Sequence, residues 1–275
     1  MTNGSSQGLF VIVAVVIFGI FVIISYLLFR DKLQTGLTSI FGDSIEESQD
    51  KLEGIINLKD SNKQSNADYY FGYVNLGGDN SNMYLNYFEA KSTGEVYAVA
   101  VYTKNASDEY VQDTSGEKLT GYLELPDKIN GKKIVGLGTG AGSQEGIWTL
   151  QNAQITSVRL PKFLKTIPTG LFNNATKLTT IVNGLPEGLT SIGINAFTNA
   201  PLTGTIKLPE TLTEIKDNAF NRASFTGTLT IPSSMKSIGS SSFANSSFDN
   251  VVNNSTSLTL GNSSIKTKSG AFWAK

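Results

Sequence analysis

The sequence LPEGLTSIGINAF at residues 185–197 returns as LPETLTEIKDNAF at residues 208–220 and as IPSSMKSIGSSSF at residues 231–243. A more distant copy, LPKFLKTIPTGLF, occupies residues 160–172. The four copies begin 25, 23 and 23 residues apart. Such a period is typical of solenoids, whose units bury their apolar side chains only when neighbouring units stack on them. The sequence therefore predicts a β-rich solenoid.

Each copy carries three apolar positions in the same register: the residue before the proline, an isoleucine and a phenylalanine. When units stack, side chains at equivalent positions should meet and form columns inside the solenoid. The predicted repeat core consists of Leu160, Ile167, Phe172, Leu185, Ile192, Phe197, Leu208, Ile215, Phe220, Ile231, Ile238 and Phe243.

The residues before each proline alternate between polar and apolar, as at residues 205–208 and 228–231. This alternation predicts a short, half-buried parallel strand in each unit, and the proline should end it. Repeat proteins bind partners along extended faces. The outward positions of these strands, Thr205, Lys207, Thr228 and Thr230, therefore form a candidate ligand face.

The region 68–118 is predicted to cap the first unit, because a solenoid must shield its open end. Residues 84–90 and 96–102 have strand-like sequences joined by the turn 92–94, which predicts a β-hairpin. The aromatic run Tyr69, Tyr70, Phe71 and Tyr73 is either a contact patch or a strand that packs on this hairpin. At the other end, Phe272 and Trp273 should cover the last unit, and a binding role for Trp273 is the alternative.

Residues 9–29 are almost wholly apolar and, at about 1.5 Å per residue, can span roughly 30 Å of hydrocarbon. They predict an uncleaved transmembrane helix, because the short tail at 1–8 lacks the basic start of a signal peptide. Residues 30–58 repeat apolar positions every three or four residues, which predicts an amphipathic stalk helix, and the polar residues 59–67 predict a linker. Arg30 and Lys32 favour a cytoplasmic location for the rest of the chain, although long domains often translocate regardless.

Composition excludes several classes of function. The chain has no cysteine and no histidine, so disulfides, thiol or histidine catalysis and the usual zinc sites are excluded. Its net charge is -1, and no basic stripe follows the sequence, which argues against a nucleic-acid partner. We therefore expect no enzyme activity, no cofactor and no metal.

Two short motifs have a functional and a structural interpretation. Gly136, Gly138 and Ala141 have the spacing of a dinucleotide-binding turn, but no helix or ribose-binding acid follows, which favours a Gly-rich loop. Residues 79–82 offer oxygen ligands without the spacing of a calcium loop, which favours a solvated turn.

The quoted repeats resemble the BspA-type, or Treponema-type, leucine-rich repeat. The resemblance covers about residues 119–252, beginning with GYLELPDKINGKKIVGL and interrupted by an irregular insertion at 138–154. With the degraded copy at the end of the chain, the solenoid with its C-terminal cap is expected to span 119–275. The resemblance implies a bacterial cell-surface protein that mediates adhesion or protein–protein binding without catalysis. This favours a repeat domain outside the cell.

The start of the chain also resembles type IV or Flp-like pilins, on the residues Gln7-Gly8-Leu9 and the apolar run after them. That resemblance implies a subunit that assembles through its N-terminal helix into a filament displaying the repeats. The chain departs from the pilin pattern, because residues 11–15 hold no acidic residue and no basic leader precedes them. A simple membrane anchor and a pilin-like subunit both remain open at this point.

Overall fold

The structure is a computed structural model that describes residues 57–58, 64–65, 69–76, 78–80, 82–113, 115–138 and 150–269. The chain divides into two units, residues 1–55 and 56–275, and all described residues belong to the second unit. The predicted tail, transmembrane helix and pilin-like segment lie outside the described residues, as do Ala141, Phe272 and Trp273. Within the described residues, no helix is long and apolar enough to span a membrane.

Among the described residues, nine strands and a short 3-10 helix, η1 (Gly78–Asn80), precede the repeats. The strands are β1 (Asn57–Leu58), β2 (Gln64–Ser65), β3 (Tyr69–Asn75), β4 (Tyr84–Ala90), β5 (Val96–Lys104), β6 (Tyr110–Gln112), β7 (Thr120–Glu124), β8 (Lys128–Ile129) and β9 (Lys132–Leu137). All except β7 form one eight-stranded sheet in the order β1-β8-β9-β5-β4-β3-β2, with β6 beside β5. This cap sheet is mainly antiparallel, but β9 lies parallel to β5.

The predicted hairpin is confirmed, because β4 and β5 pair antiparallel on either side of the turn 91–95. The aromatic run belongs to β3, which pairs with β4 along its whole length. The strand interpretation of this run is therefore confirmed. The predicted stalk helix is wrong at Asn57–Leu58, which is a strand paired with β8. The predicted linker is wrong at Gln64–Ser65, which is a strand paired with β3.

Residues 150–269, the described part of the repeats, contain thirteen short strands. They are β10 (Gln154–Arg159), β11 (Thr166–Ile167), β12 (Thr180–Val182), β13 (Ser191–Ile192), β14 (Thr203–Gly204), β15 (Glu214–Ile215), β16 (Ser224–Phe225), β17 (Thr228–Ile231), β18 (Ser237–Ile238), β19 (Phe243–Phe248), β20 (Asn250–Asn253), β21 (Thr259–Leu260) and β22 (Ile265–Thr267). Every pairing among them is parallel, as stacking of equivalent segments requires. The repeats therefore form a β-solenoid of about five turns.

The longest parallel sheet of the repeats follows the isoleucine column. Strands β11, β13, β15, β18 and β21 pair in sequence order, and Ile167, Ile192, Ile215 and Ile238 lie directly beside one another in register. We call this five-stranded sheet the isoleucine sheet. Each of its strands has only two residues.

The strands before the prolines form a discontinuous surface. Strands β7, β10 and β12 make a three-stranded sheet, and β17 pairs with β20. Residues 205–208 carry no strand, and the unit instead contributes β14 two residues earlier, where it pairs with β16. The prediction of a strand at 205–208 is therefore wrong, although the alternation of exposed and buried side chains is present there.

The boundary between cap and solenoid differs from the expected one at residue 119. Strand β7 joins β10 of the repeats, whereas β8 and β9 join the cap sheet. The segment 119–137 therefore contributes one strand to the sheet of the repeats and two strands to the cap sheet. The apolar core is continuous from Val74 to Ile265. The expected insertion at 138–154 is also shorter, because Gln154 begins β10; residues 139–149 lie outside the described residues.

Candidate binding surface

The interior of the solenoid is built from the residues that recur in the sequence. All twelve predicted core residues are buried. Phe197 stacks on Phe172 at a centroid distance of 5.3 Å and on Phe220 at 5.2 Å, and Phe220 stacks on Phe243 at 5.2 Å. Stacked aromatic rings add attraction beyond the burial of their apolar area. This column fixes the spacing of successive units and therefore the positions of the surface residues around it.

Three of the four phenylalanines lie between two residues with left-handed backbone, and Phe243 follows one such residue. Two positions before it are Gly170, Asn195, Asn218 and Ser241, and two positions after three of the rings are Asn174, Asn199 and Arg222. All have φ between 56° and 73°. Glycine and asparagine adopt this conformation at the lowest cost. These turns were not predicted from the sequence, although the recurring glycine and asparagine provided a signal.

Much of the hydroxyl-rich surface serves the stacking of units. Thr190 donates its hydroxyl to the carbonyl of Lys165 at 2.9 Å, and Thr213 donates to that of Thr190 at 3.0 Å. A second column makes the same kind of hydrogen bond between units. Ser234 donates to the Leu212 carbonyl at 2.7 Å, and Ser255 donates to the Met235 carbonyl at 2.6 Å. These side chains satisfy backbone acceptors of the preceding unit. They are therefore structural residues.

The four residues of the candidate ligand face are all exposed. Thr228 and Thr230 alternate on β17 with the buried Leu229 and Ile231. Thr205 lies beside the turn that leads into β17, because its methyl group would be 3.0 Å from a Cβ added at Gly227. Lys207 forms an exposed ion pair with Glu187 at 2.8 Å, and this hydrogen bond raises the pKa of Lys207.

A groove of about 760 Å³ lies between the cap hairpin and the first repeats. We call it the lysine groove; its walls include Glu95, Lys132, Lys133, Lys162, Phe163, Lys165 and Glu187. The half-buried ring of Phe163 has three ammonium groups around it, with the Nζ of Lys133 at 4.4 Å, of Lys162 at 5.7 Å and of Lys128 at 6.0 Å from its centroid. The sequence has no continuous basic stripe, but the fold brings these lysines together in one groove.

Hydrogen bonds fix both sides of the lysine groove. The Lys165 amide donates to the Val135 carbonyl at 3.1 Å and so joins the first repeat to β9. On the cap side, Glu95 accepts from Lys165 at 2.7 Å and from the Tyr97 hydroxyl at 3.0 Å. These hydrogen bonds lower the pKa of Glu95. The groove therefore has a defined shape before any ligand enters.

The two ambiguous sequence motifs both have structural roles. Gly136 lies in β9 where a Cβ would be 2.5 Å from the ring of Tyr97, so close packing requires glycine there. Asp79 accepts from the Tyr122 amide at 3.0 Å, and the buried Asn80 donates to the Tyr122 carbonyl at 3.1 Å. The solvated-turn interpretation of residues 79–82 is therefore wrong for Asn80. Among the described residues, no group of three acidic residues is arranged to hold a metal.

Comparison with known proteins supports the description of the repeats. Residues 148–270 match the family model "BspA type Leucine rich repeat region" in six copies, so this part of the chain is similar to BspA-type repeats. No protein of curated function matches the sequence.

Several solved bacterial structures are similar to the chain. A leucine-rich repeat protein of T. pallidum is 21% identical, with 64% of this chain and 83% of that chain covered and a TM-score of 0.45. A leucine-rich repeat protein of Bacteroides ovatus is 22% identical, with 61% and 39% covered and a TM-score of 0.43. A leucine-rich cell surface protein of Faecalibacterium prausnitzii is 19% identical, with 72% and 45% covered and a TM-score of 0.40. The chain spans less than half of the last two proteins.

Proposed function

We propose that this chain is a non-catalytic repeat protein that binds other proteins at the surface of a bacterial cell. The observation that carries the proposal is the stacked array of BspA-type repeats at 148–270. Its buried Ile and Phe columns hold exposed side chains of successive units at fixed spacing. An extended rigid surface of this kind suits protein recognition, because little ordering is needed when the partner binds.

The proposal includes a membrane anchor at residues 9–29 and a repeat domain outside the cell. The support is the length and apolar character of this segment in the sequence. Adhesion to a partner surface would then result from display of the repeats at the end of an anchored chain.

The location is tested by protease treatment of intact cells that express the full chain with a C-terminal tag. Loss of the tag from intact cells is expected, and a cytoplasmic protein in the same cells must survive as the control for lysis. A tag protected from protease until the cells are broken would contradict the surface location. Electron microscopy of sheared material then tests assembly, and filaments would contradict a simple anchor.

The binding role is tested with the same cells and a panel of immobilised extracellular proteins. Cells that display the chain should adhere better than cells without it, and Thr230→Lys should reduce the difference, because Thr230 is exposed on β17. Thr176→Lys is the matched control, since Thr176 is also exposed but lies outside the candidate ligand face. Equal adherence of cells with and without the chain across the panel would contradict the adhesive function.

A further inference from the structure

The lysine groove has a charge opposite to that of the whole chain. Four lysines and two glutamates line it, an excess of two positive charges in a protein whose net charge is -1. The four lysines are exposed. The cap and the first repeat contribute these lysines from separate parts of the sequence, so the positive charge is concentrated only in the folded protein. Such a local field attracts acidic groups.

The arrangement around Phe163 favours anions over neutral ligands. Lys133 holds its ammonium group over the aromatic ring at 4.4 Å, an attraction between a cation and the negative face of the ring. A neutral sugar would need that face of the ring for stacking. A carboxylate, by contrast, can approach the ammonium groups at the edge of the ring. The ring then provides apolar contact beside the charged groups.

The two glutamates decide between a peptide and a dense polyanion. Glu95 pairs with Lys165, and Glu187 pairs with Lys207 at 2.8 Å, so negative charges stand among the lysines. A polymer with a charge on every unit would meet these carboxylates and be repelled. A peptide with separated acidic residues can match the lysines and place neutral residues beside the glutamates.

The groove also has room for a main chain. Its volume of about 760 Å³ lies within the range of about 300–1,000 Å³ that is usual for ligand sites. Two of its lining residues are Gly131 and Gly188, where an added Cβ would meet nothing within 4 Å. The absence of side chains at these positions keeps the groove open.

We infer that the lysine groove binds an extended segment of a partner protein that carries separated Asp or Glu residues beside an apolar residue. This inference rests on the proposed protein-binding function and names the chemistry of the partner. It assigns the acidic segment to the junction of cap and first repeat, which is a different surface from Thr228 and Thr230 on β17. Lys207 of the candidate ligand face adjoins the groove through its ion pair with Glu187.

The test is binding of a fluorescent ten-residue peptide of alternating Glu and Ser with one central Leu, measured by anisotropy with the purified full chain in detergent. Saturable binding that weakens at least tenfold between low and high salt is expected, because salt screens exposed charges. A peptide with Gln in place of Glu should not bind. Absence of saturable binding by the acidic peptide would overturn the inference.

Variants assign the binding to the groove. Lys133→Glu reverses a central charge, and Gly188→Glu obstructs the groove at a position with space for a side chain; each should weaken peptide binding at least tenfold. Lys177→Glu changes the net charge by as much as Lys133→Glu does, but at an exposed position outside the groove, and it should leave affinity unchanged. Equal weakening by all three would show non-specific attraction and overturn the assignment.

Long polyphosphate and a sulfated polysaccharide are the competing probes. If they bind in the groove and the spaced acidic peptide does not, a dense polyanion is the ligand class and the peptide inference is wrong. Neither result depends on where the chain resides in the cell. Failure here is therefore distinguishable from failure of the protease and adherence experiments.

Discussion

Arg159 and Asp127 form a buried ion pair at the start of the solenoid. The Nη1 of Arg159 donates to the two carboxylate oxygens of Asp127 at 2.9 and 3.1 Å. The guanidinium also donates to Glu124 at 2.8 Å and to the Leu125 carbonyl at 3.1 Å, and Asp127 accepts from the Lys162 amide at 2.6 Å. The pair therefore joins β7 and the segment after it to β10 and the first repeat.

Arg159→Met should destabilise the protein strongly, because it leaves the Asp127 carboxylate buried without its cation. Removing one partner of such a pair costs about 3–5 kcal/mol, measurable by urea unfolding followed by circular dichroism. Lys207→Met is the control, because the Lys207–Glu187 pair is exposed at 81% and 72% and exposed ion pairs contribute little to stability. Similar effects of the two substitutions would contradict the structural role of Arg159.

Phe220→Ala should open a cavity in the aromatic column. Phe220 lies between Phe197 and Phe243, with centroid distances of 5.2 Å to each, and it is fully buried. Truncation of such a ring costs about 3–5 kcal/mol, which urea unfolding would detect. Phe163→Ala, at a half-buried ring outside the column, should cost clearly less. The reverse order would mean that the column does not hold the units together.

Gly239→Ala should destabilise the isoleucine sheet at its contact with the preceding turn. A Cβ at Gly239 would meet the carbonyl carbon of Lys216 at 2.7 Å and the backbone nitrogen of Asp217. Backbone cannot move aside as a flexible side chain can, and overpacking of this kind costs about 1–3 kcal/mol. Gly188→Ala is the control, because nothing lies within 4 Å of its added methyl group. The midpoints of thermal unfolding of the two variants should differ accordingly.

The parts of the fold that were predicted correctly depend on local or periodic signals. The Ile and Phe columns follow from anchors that recur every 23 or 25 residues, and the hairpin β4–β5 follows from two alternating runs around a short turn. The parallel pairing of β9 with β5 joins Val96 to Ile134 and has no local signal. The strand at 205–208 was wrong because the chain makes its ladder bonds at Thr203–Gly204 instead.

The lysine groove was not predictable from the sequence for the same reason. Glu95 and Lys165 are 70 positions apart, and neither lies in a motif. Lys162 and Phe163 lie within a repeat, at positions where the next unit has Glu187 and Gly188. This difference was the only signal of the groove in the sequence. Charge counted along the chain cannot reveal a patch that the meeting of cap and solenoid creates.

Arg222→Asn should stabilise the protein. Arg222 has φ of 73° at a position where the two preceding units have Asn174 and Asn199. A left-handed backbone costs most residues about 1–2 kcal/mol, and asparagine tolerates it better. We expect a gain of up to about 1 kcal/mol in urea unfolding. Arg222→Gln is the control for the lost charge and should bring a smaller gain, because glutamine has no advantage in this conformation; an equal gain there would point to charge instead.

The carboxyl group of Glu95 should titrate below its ordinary range for as long as Lys165 is present. Its pKa is lowered by hydrogen bonds from Lys165 and Tyr97. A lowered folded pKa contributes stability above the unfolded value, near 4.5, and this contribution is lost as pH falls through the folded pKa. In Lys165→Met, carbon-detected NMR titration should find the Glu95 pKa closer to 4.5. Tyr97→Phe should produce a smaller rise, because the lysine contributes the larger effect. An unchanged Glu95 titration in Lys165→Met would mean that the ion pair across the groove does not persist in solution.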